Sequence, residues 1–191
     1  KQKVKDILFF SAGIWPAPEA IKNRFLQIEV LENNIKTMQE KTLVILKPSA
    51  VERGLMGEII TRFERKSLSI VGMKMMKLDE PILREHYAHL VDRPFFPWIL
   101  ASMMATPVVV LCIKGNDAVN VVRMMTGATN GRKAEPGTIR GDYSLSAQEN
   151  IVHASDSVES ATVELARFFK PEEIMEFTHS SQAFIYAPDE I

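Results

Sequence analysis

One cysteine in 191 residues leaves no partner for an intrachain disulfide. That residue, Cys112, lies inside the apolar run Val108 to Ile113, where a thiol behaves as a small hydrophobe. Disulfide scaffolding is excluded, and nothing argues for a cysteine nucleophile. No apolar stretch reaches the roughly 20 residues that a membrane-crossing helix needs. Net charge is almost nil, with 23 basic side chains against 24 acidic ones for a formal −1, so the basic footprint behind bulk nucleic-acid binding is missing. Also missing are Gly-x-x-x-x-Gly-Lys-Ser/Thr, Gly-x-Gly-x-x-Gly and His-Arg-Asp, which rules out the usual phosphate loops. His86 and His89 form one adjacent pair with no cysteine cluster beside it, a pattern that suits structural histidines rather than a metal site.

What is present is an ordinary globular composition, 46% hydrophobic and 25% charged, in a chain long enough to bury a core without covalent staples. Residues 1–37 differ from the rest: two short apolar clusters are followed by Pro16, Pro18 and a stretch without clear periodicity, which we read as an N-terminal extension. A secretory signal is the rival reading, with Lys1, Lys3 and Lys5 ahead of an apolar run and Ala17 and Ala20 beyond it. Asp6 and the shortness of the run count against it. Met38 could itself be a natural start. We assign residues 38–175 to one domain and 176–191 to a tail that, with its approach from Pro171, wraps over a surface or a neighbouring subunit.

Within the domain, the β-branched and apolar run Thr42 to Leu46, closed by Lys47-Pro48, predicts a buried strand. Leu55, Ile59, Ile60 and Phe63 share a helical face. A second strand is expected over Ser69–Leu78, a helix after Pro81 and another over Pro97–Met104. The third strand is Val108–Lys114, followed by a helix capped by Asn116 or Asp117 and by a Gly-rich loop from Gly127 to Gly141. Ile151 and Val152 suit a short last strand. Asp156 and Glu159 have capping-box spacing for a final helix that buries Val158, Ala161, Leu165 and Phe168. This order resembles a ferredoxin-like split βαβ sandwich of the α+β class, a four-stranded antiparallel sheet covered by helices.

The chemistry concentrates around His153, set between a short apolar strand and a helix start, where a helix N-terminus welcomes anions. A neutral imidazole there can attack an electrophilic phosphorus through a free ring nitrogen. Arg123, Thr129 and Arg140 border or lie within the Gly-rich loop, and Lys47 ends the first strand. Guanidinium forks fit phosphate oxygens and stabilise charge on a transferring phosphoryl group. Within Arg93-Pro94-Phe95-Phe96-Pro97, one exposed Phe could stack a base, while Phe96 is expected in the core.

Taken together, these strings closely resemble the nucleoside diphosphate kinase family from about Glu40 to Glu173. The resemblance rests on Lys47-Pro48, Glu52-Arg53-Gly54-Leu55 with Gly57-Glu58-Ile59-Ile60, His86-Tyr87, Arg93-Pro94-Phe95-Phe96, Gly127-Ala128-Thr129-Asn130, Pro136 through Asp142 and Asn150 through Ser160. It implies transfer of the γ-phosphate of a nucleoside triphosphate, usually ATP, to a nucleoside diphosphate, through a phosphohistidine in a ping-pong cycle with Mg2+ held mainly by the nucleotide phosphates. His153 matches the family nucleophile. Lys47 and Asn150 match contacts to the ribose hydroxyls and the phosphate end, and Phe95 matches the ring on which the base stacks. Arg123, Thr129 and Arg140 match the phosphate grips, Tyr87 a supporting residue near Lys47, and His86 lies close to the phosphate path. Ser155 and Glu164 match the pair that orients the nucleophilic ring. The resemblance also implies a cytoplasmic homo-oligomer, a tetramer or a hexamer, with no membrane and no required nucleic acid.

Three departures from the family pattern stand out: Ala154 in place of a frequent glycine, Gly131 in place of a proline common in animal members, and Ser146-Ala147-Gln148-Glu149 in place of more basic or glycine-containing versions. The last is expected to alter packing below the base. Two other functions compete with catalysis. A nucleic-acid-binding module would show exposed aromatics on adjacent strands, whereas Val108 to Ile113 is aliphatic. A catalytically silent assembly subunit would be expected to have lost His153.

Overall fold

Strands whose two faces both meet helices need apolar side chains at every position rather than at alternate ones, and Leu43 to Leu46 is such a run. The computed structural model describes residues 39–177, 179–187 and 190. The expectations for residues 1–37 lie outside the described residues. Strand β1 spans Gln39–Leu46, and its last five residues are buried. With β2 (Ser69–Met76), β3 (Val108–Asn116) and β4 (Val152–Ala154) it forms one sheet in the order β2-β3-β1-β4, every pair antiparallel.

The period of two along β1 sends its side chains to two separate layers. Val44 and Leu46 pack with Ile59 and Phe63 of α2 (Met56–Arg65) and with Ala118 and Val122 of α5 (Ala118–Thr126). Leu43 and Ile45 pack on the other face with Leu83 of α3 (Glu80–His86), Met103 of α4 (Phe96–Met103), and Leu165 and Phe168 of α7 (Val158–Phe168). Two short helices, α1 (Pro48–Glu52) and α6 (Ile139–Tyr143), follow β1 and the Gly-rich loop. The helix-covered antiparallel sheet is the architecture expected from the element order.

Local differences have local reasons. The N-cap of α7 is Ser157, whose hydroxyl accepts from Ser160 N, rather than Asp156, and Val158 is exposed. As the first residue of the helix, Val158 lies at the end of the buried stripe of Ala161, Leu165 and Phe168 and stays exposed. Asp117 is the N-cap of α5 but sits in the left-handed region, so its side chain makes no cap bond. The Glu40 carboxylate accepts from Val119 N instead. The last strand begins at Val152, because Ile151 takes a positive φ. Strand β2 stops at Met76, two residues short of the expected end, and β3 runs two residues further. The tail folds back on the sheet: Met175 N donates to Val71 O, Glu176 pairs with Lys41 and Lys114, and Asn116 N donates to the Tyr186 hydroxyl. The approach from Pro171 thus covers a surface of its own domain.

Candidate active site

Residues directly opposite one another on neighbouring strands share a face of the sheet. His153 lies opposite Ile45 and therefore faces the layer of α3, α4 and α7. There its Nε2 is 3.1 Å from Glu164 Oε2 on α7. Burial works against the charge of Glu164, but hydrogen bonds from His153 and from Ser155 outweigh it and hold the carboxyl below the usual carboxylate range. An ionised acceptor fixes the tautomer: Nε2 carries the proton and donates, so Nδ1 keeps its lone pair. Among the described residues nothing hydrogen-bonds that nitrogen. Ser155 Oγ donates to the same carboxylate oxygen at 2.6 Å and accepts from Leu43 N at 3.3 Å. The orientation of the imidazole is thereby referred back to the backbone of β1.

The turn before β4 brings the other groups in. Ile151 is fully buried with φ +71°, a conformation β-branched residues rarely adopt, and Val152 N donates to Asn150 O at 2.7 Å in a tight three-residue turn. Lys47 N donates to Ile151 O, tying the end of β1 to the turn. As a result Lys47 Nζ reaches Asn150 Oδ1 at 2.6 Å and Gln148 O at 3.2 Å, while Asn150 Nδ2 donates to Thr129 O and Ala147 O. The Arg140 guanidinium donates to Gly127 O, Val152 O and Asn150 O, which uses three of its five N–H groups and leaves two. Gly127, with φ +76°, is required here, since a Cβ would lie 2.4 Å from Thr138 Oγ1.

Lys47, Phe95, Arg123, Thr129, Arg140, Asn150 and His153 all line one cleft of about 940 Å³. These seven candidate residues are thus brought together, and Lys47, Arg123 and Arg140 put three cationic side chains around the cleft. Burial, and then the neighbouring Arg140, lower Lys47 to about 8; burial, and then Arg123, lower Arg140 as well. Like charges held together out of water are relieved by an anion, so the cleft favours a polyanionic ligand. Phe95 is 39% exposed at the N-cap of α4, and Phe96 is buried as expected.

His86 is buried beside His153, with ring centroids 4.6 Å apart. Burial and the neighbouring His153 push it down to about 3, so it is neutral, and its 3.8 Å approach to Glu164 Oε1 is no ion pair. A histidine that stays neutral when folded opposes acid: below about 6.5, its ordinary value, the unfolded chain takes a proton that the folded chain refuses. Stability should fall as pH drops from there toward about 3. Urea titrations at neutral pH and near pH 5 should show a larger loss for the parent than for His86→Leu; equal losses would contradict the assignment. His86, His153 and Glu164 offer three donor atoms within 4.8 Å of one another. Ser155 and Arg167 already bond this cluster, and these bonds fix the orientation of the His153 ring.

The sequence reading missed the backbone carbonyl of Gln148, which receives Lys47, the strained turn at Ile151, and Arg167, which bonds Glu85 and lies 3.4 Å from His86 Nδ1. None carries a sequence signal, because a carbonyl, a backbone angle and a helix-surface arginine are anonymous in one dimension.

Comparison with known proteins agrees with this geometry. The family model described as nucleoside diphosphate kinase matches residues 40–174. A nucleoside diphosphate kinase of Parabacteroides distasonis is 60% identical over 151 residues, covering 79% of this chain and 99% of that protein. Nucleoside diphosphate kinase A of Homo sapiens is 46% identical over 147 residues, covering 77% and 97%. A solved structure of the halophilic nucleoside diphosphate kinase of Halobacterium salinarum in complex with CDP superposes with a TM-score of 0.76 at 40% identity, covering 78% of this chain and 99% of that one.

Proposed function

Since the chain belongs to the nucleoside diphosphate kinase family, and so is a phosphotransferase acting between nucleoside tri- and diphosphates, we propose that His153 carries the phosphoryl group between them, with residues 38–175 as the catalytic domain. The observation that carries this assignment is the lone pair of Nδ1, left by the Nε2 bond to Glu164 and facing a cleft lined with cations.

In the first half-reaction Nδ1 attacks the γ-phosphorus, the bond to the β–γ bridging oxygen breaks, and the diphosphate leaves. Glu164 stabilises the positive charge that develops on the imidazole. In the second, a terminal oxygen of another diphosphate attacks the same phosphorus and the electron pair returns to Nδ1. Arg123, Thr129 and the two spare N–H groups of Arg140 grip the phosphates. Lys47 and Asn150 take the ribose hydroxyls and the phosphate end. Phe95 stacks the base, which explains tolerance of any base, because every base has a π-face. Phe95→Ala should weaken nucleotide binding by about 1–3 kcal/mol while leaving the unfolding midpoint close to that of the parent. Calorimetric titration with a diphosphate checks this, and unchanged affinity would remove Phe95 from the site.

A magnesium ion bound with the nucleotide would be held mainly by the phosphates. Among the residues lining the cleft, the exposed carboxylates of Asp156 and Glu159 are oxygens that could join the phosphates in holding it; they are too few to cage a hard cation by themselves. The ion supplies neutralisation of phosphate charge. We place the protein in the cytoplasm with its substrates, as a homo-oligomer of four or six chains. Among the described residues no helix is long and apolar enough to cross a membrane. The test of the central assignment is to incubate the protein with γ-labelled ATP and magnesium without acceptor. Acid-labile label on His153 that leaves as GTP on addition of GDP is expected, and a folded sample that takes up no label would overturn it.

A further inference from the structure

Helix α4 forms one wall of the cleft and carries Phe95 at its N-terminal end. Its apolar anchors are Phe96 and Met103. Among the described residues, only two hydrogen bonds made by side chains join α4 to another part of the chain, and both come from the stretch where the sequence departs from the family pattern. Gln148 Nε2 donates to Trp98 O at 3.0 Å, and Ser102 Oγ donates to Glu149 Oε1 at 2.5 Å. Trp98 and Ser102 are four residues apart, so both ties fall on one face of the helix.

The loop that makes them is itself braced. Ser146 Oγ accepts from the backbone N–H groups of Gln148 and Glu149, and Ser144 Oγ bonds the carbonyls of Ser146 and Glu149. The same loop receives Lys47 Nζ through Gln148 O and continues into Asn150. One short segment thus connects the wall that bears the aromatic ring to the residues at the opposite end of a bound nucleoside.

We propose that Gln148 and Glu149 are positioning residues for the nucleotide site, holding α4, and with it Phe95, at the separation from Lys47 and Asn150 that a base and its ribose span. This rests on the roles given above to Phe95, Lys47 and Asn150. The side chains act through the helix and not on the phosphoryl group. Their loss loosens base stacking and leaves the chemistry of His153 alone.

The test uses the full chain. The double variant Gln148→Ala/Glu149→Ala should raise KM for ATP and for every diphosphate acceptor by about tenfold, the scale of one or two lost hydrogen bonds, with kcat close to that of the parent. Ser102→Ala, which cuts one tie from the helix side, should raise KM less and in the same direction. Glu149→Gln keeps an acceptor oxygen for Ser102 but removes a charge that raises Lys47, so its KM for ATP should lie between those of the parent and the double variant. The decisive probe is ribose 5-triphosphate, a donor with no base to stack, which should label parent and double variant equally well. An unchanged KM for ATP in the double variant would overturn the proposal, as would an equal loss with the baseless donor, which would mean general damage to the cleft. A loss confined to one base would also overturn it, because it would mean direct contact with that base. Failure of the parent to be labelled by ATP would instead overturn the phosphohistidine assignment itself.

Discussion

His153→Ala is expected to abolish labelling by γ-labelled ATP and to lower turnover by at least about 10⁴-fold, the scale on which removing the attacking group acts in a covalent mechanism. The expectation is this large because no neighbour can substitute. His86 is neutral but buried, and Ser155 already donates its hydroxyl to Glu164. A second variant separates lost chemistry from lost structure: His153→Gln can donate to Glu164 through its amide nitrogen but has no nucleophilic lone pair on that nitrogen. Both variants should unfold near the parent midpoint and both should remain unlabelled by γ-labelled ATP. Label on either variant would place the transferred phosphoryl group on another residue.

Arg140→Met is expected to act on stability and rate together. Its guanidinium serves three carbonyls that join the Gly-rich loop to the turn before β4. Removing it leaves partly buried acceptors without donors, at a cost of about 2–4 kcal/mol when more than one is orphaned. The two N–H groups left for phosphate go with it, for a further loss of about 10²–10³-fold in kcat. Arg140→Lys should recover little of either effect, since a single ammonium cannot span carbonyls on three sides. Denaturant midpoints and rates normalised to folded protein measure the two losses separately. A destabilised variant with parental activity per folded molecule would keep Arg140 as a structural brace and remove it from the phosphate grip.

Much of this site was readable in one dimension. The strand-end Lys47, the aromatic pair at Phe95, the arginines around the Gly-rich loop and His153 ahead of a helix start are local patterns. Their roles follow from donor geometry and charge, and the structure brings them to one cleft. Elements were readable for the same reason: Leu55, Ile59 and Phe63 repeat at a helical period, and Leu43 to Leu46 is apolar at every position, as a strand covered on both faces requires. Boundaries were less so. Both Asp156 and Ser157 can cap a helix, and the choice depends on where β4 ends.

The amino-acid sequence determined the order of elements, the family and the candidate site residues, because periodicity, turn chemistry and side-chain type are properties of neighbours along the chain. The tertiary structure decided which nitrogen of His153 is free, because that depends on Glu164, on another element, being close enough to bind the other one. It also decided that Ile151 accepts a strained backbone, that Lys47 leans on a carbonyl 101 residues away, and that α4 is tied to the loop at Gln148 and Glu149. Each of these is a contact between segments far apart in the chain, and a hydrogen bond of that kind leaves no period or motif behind.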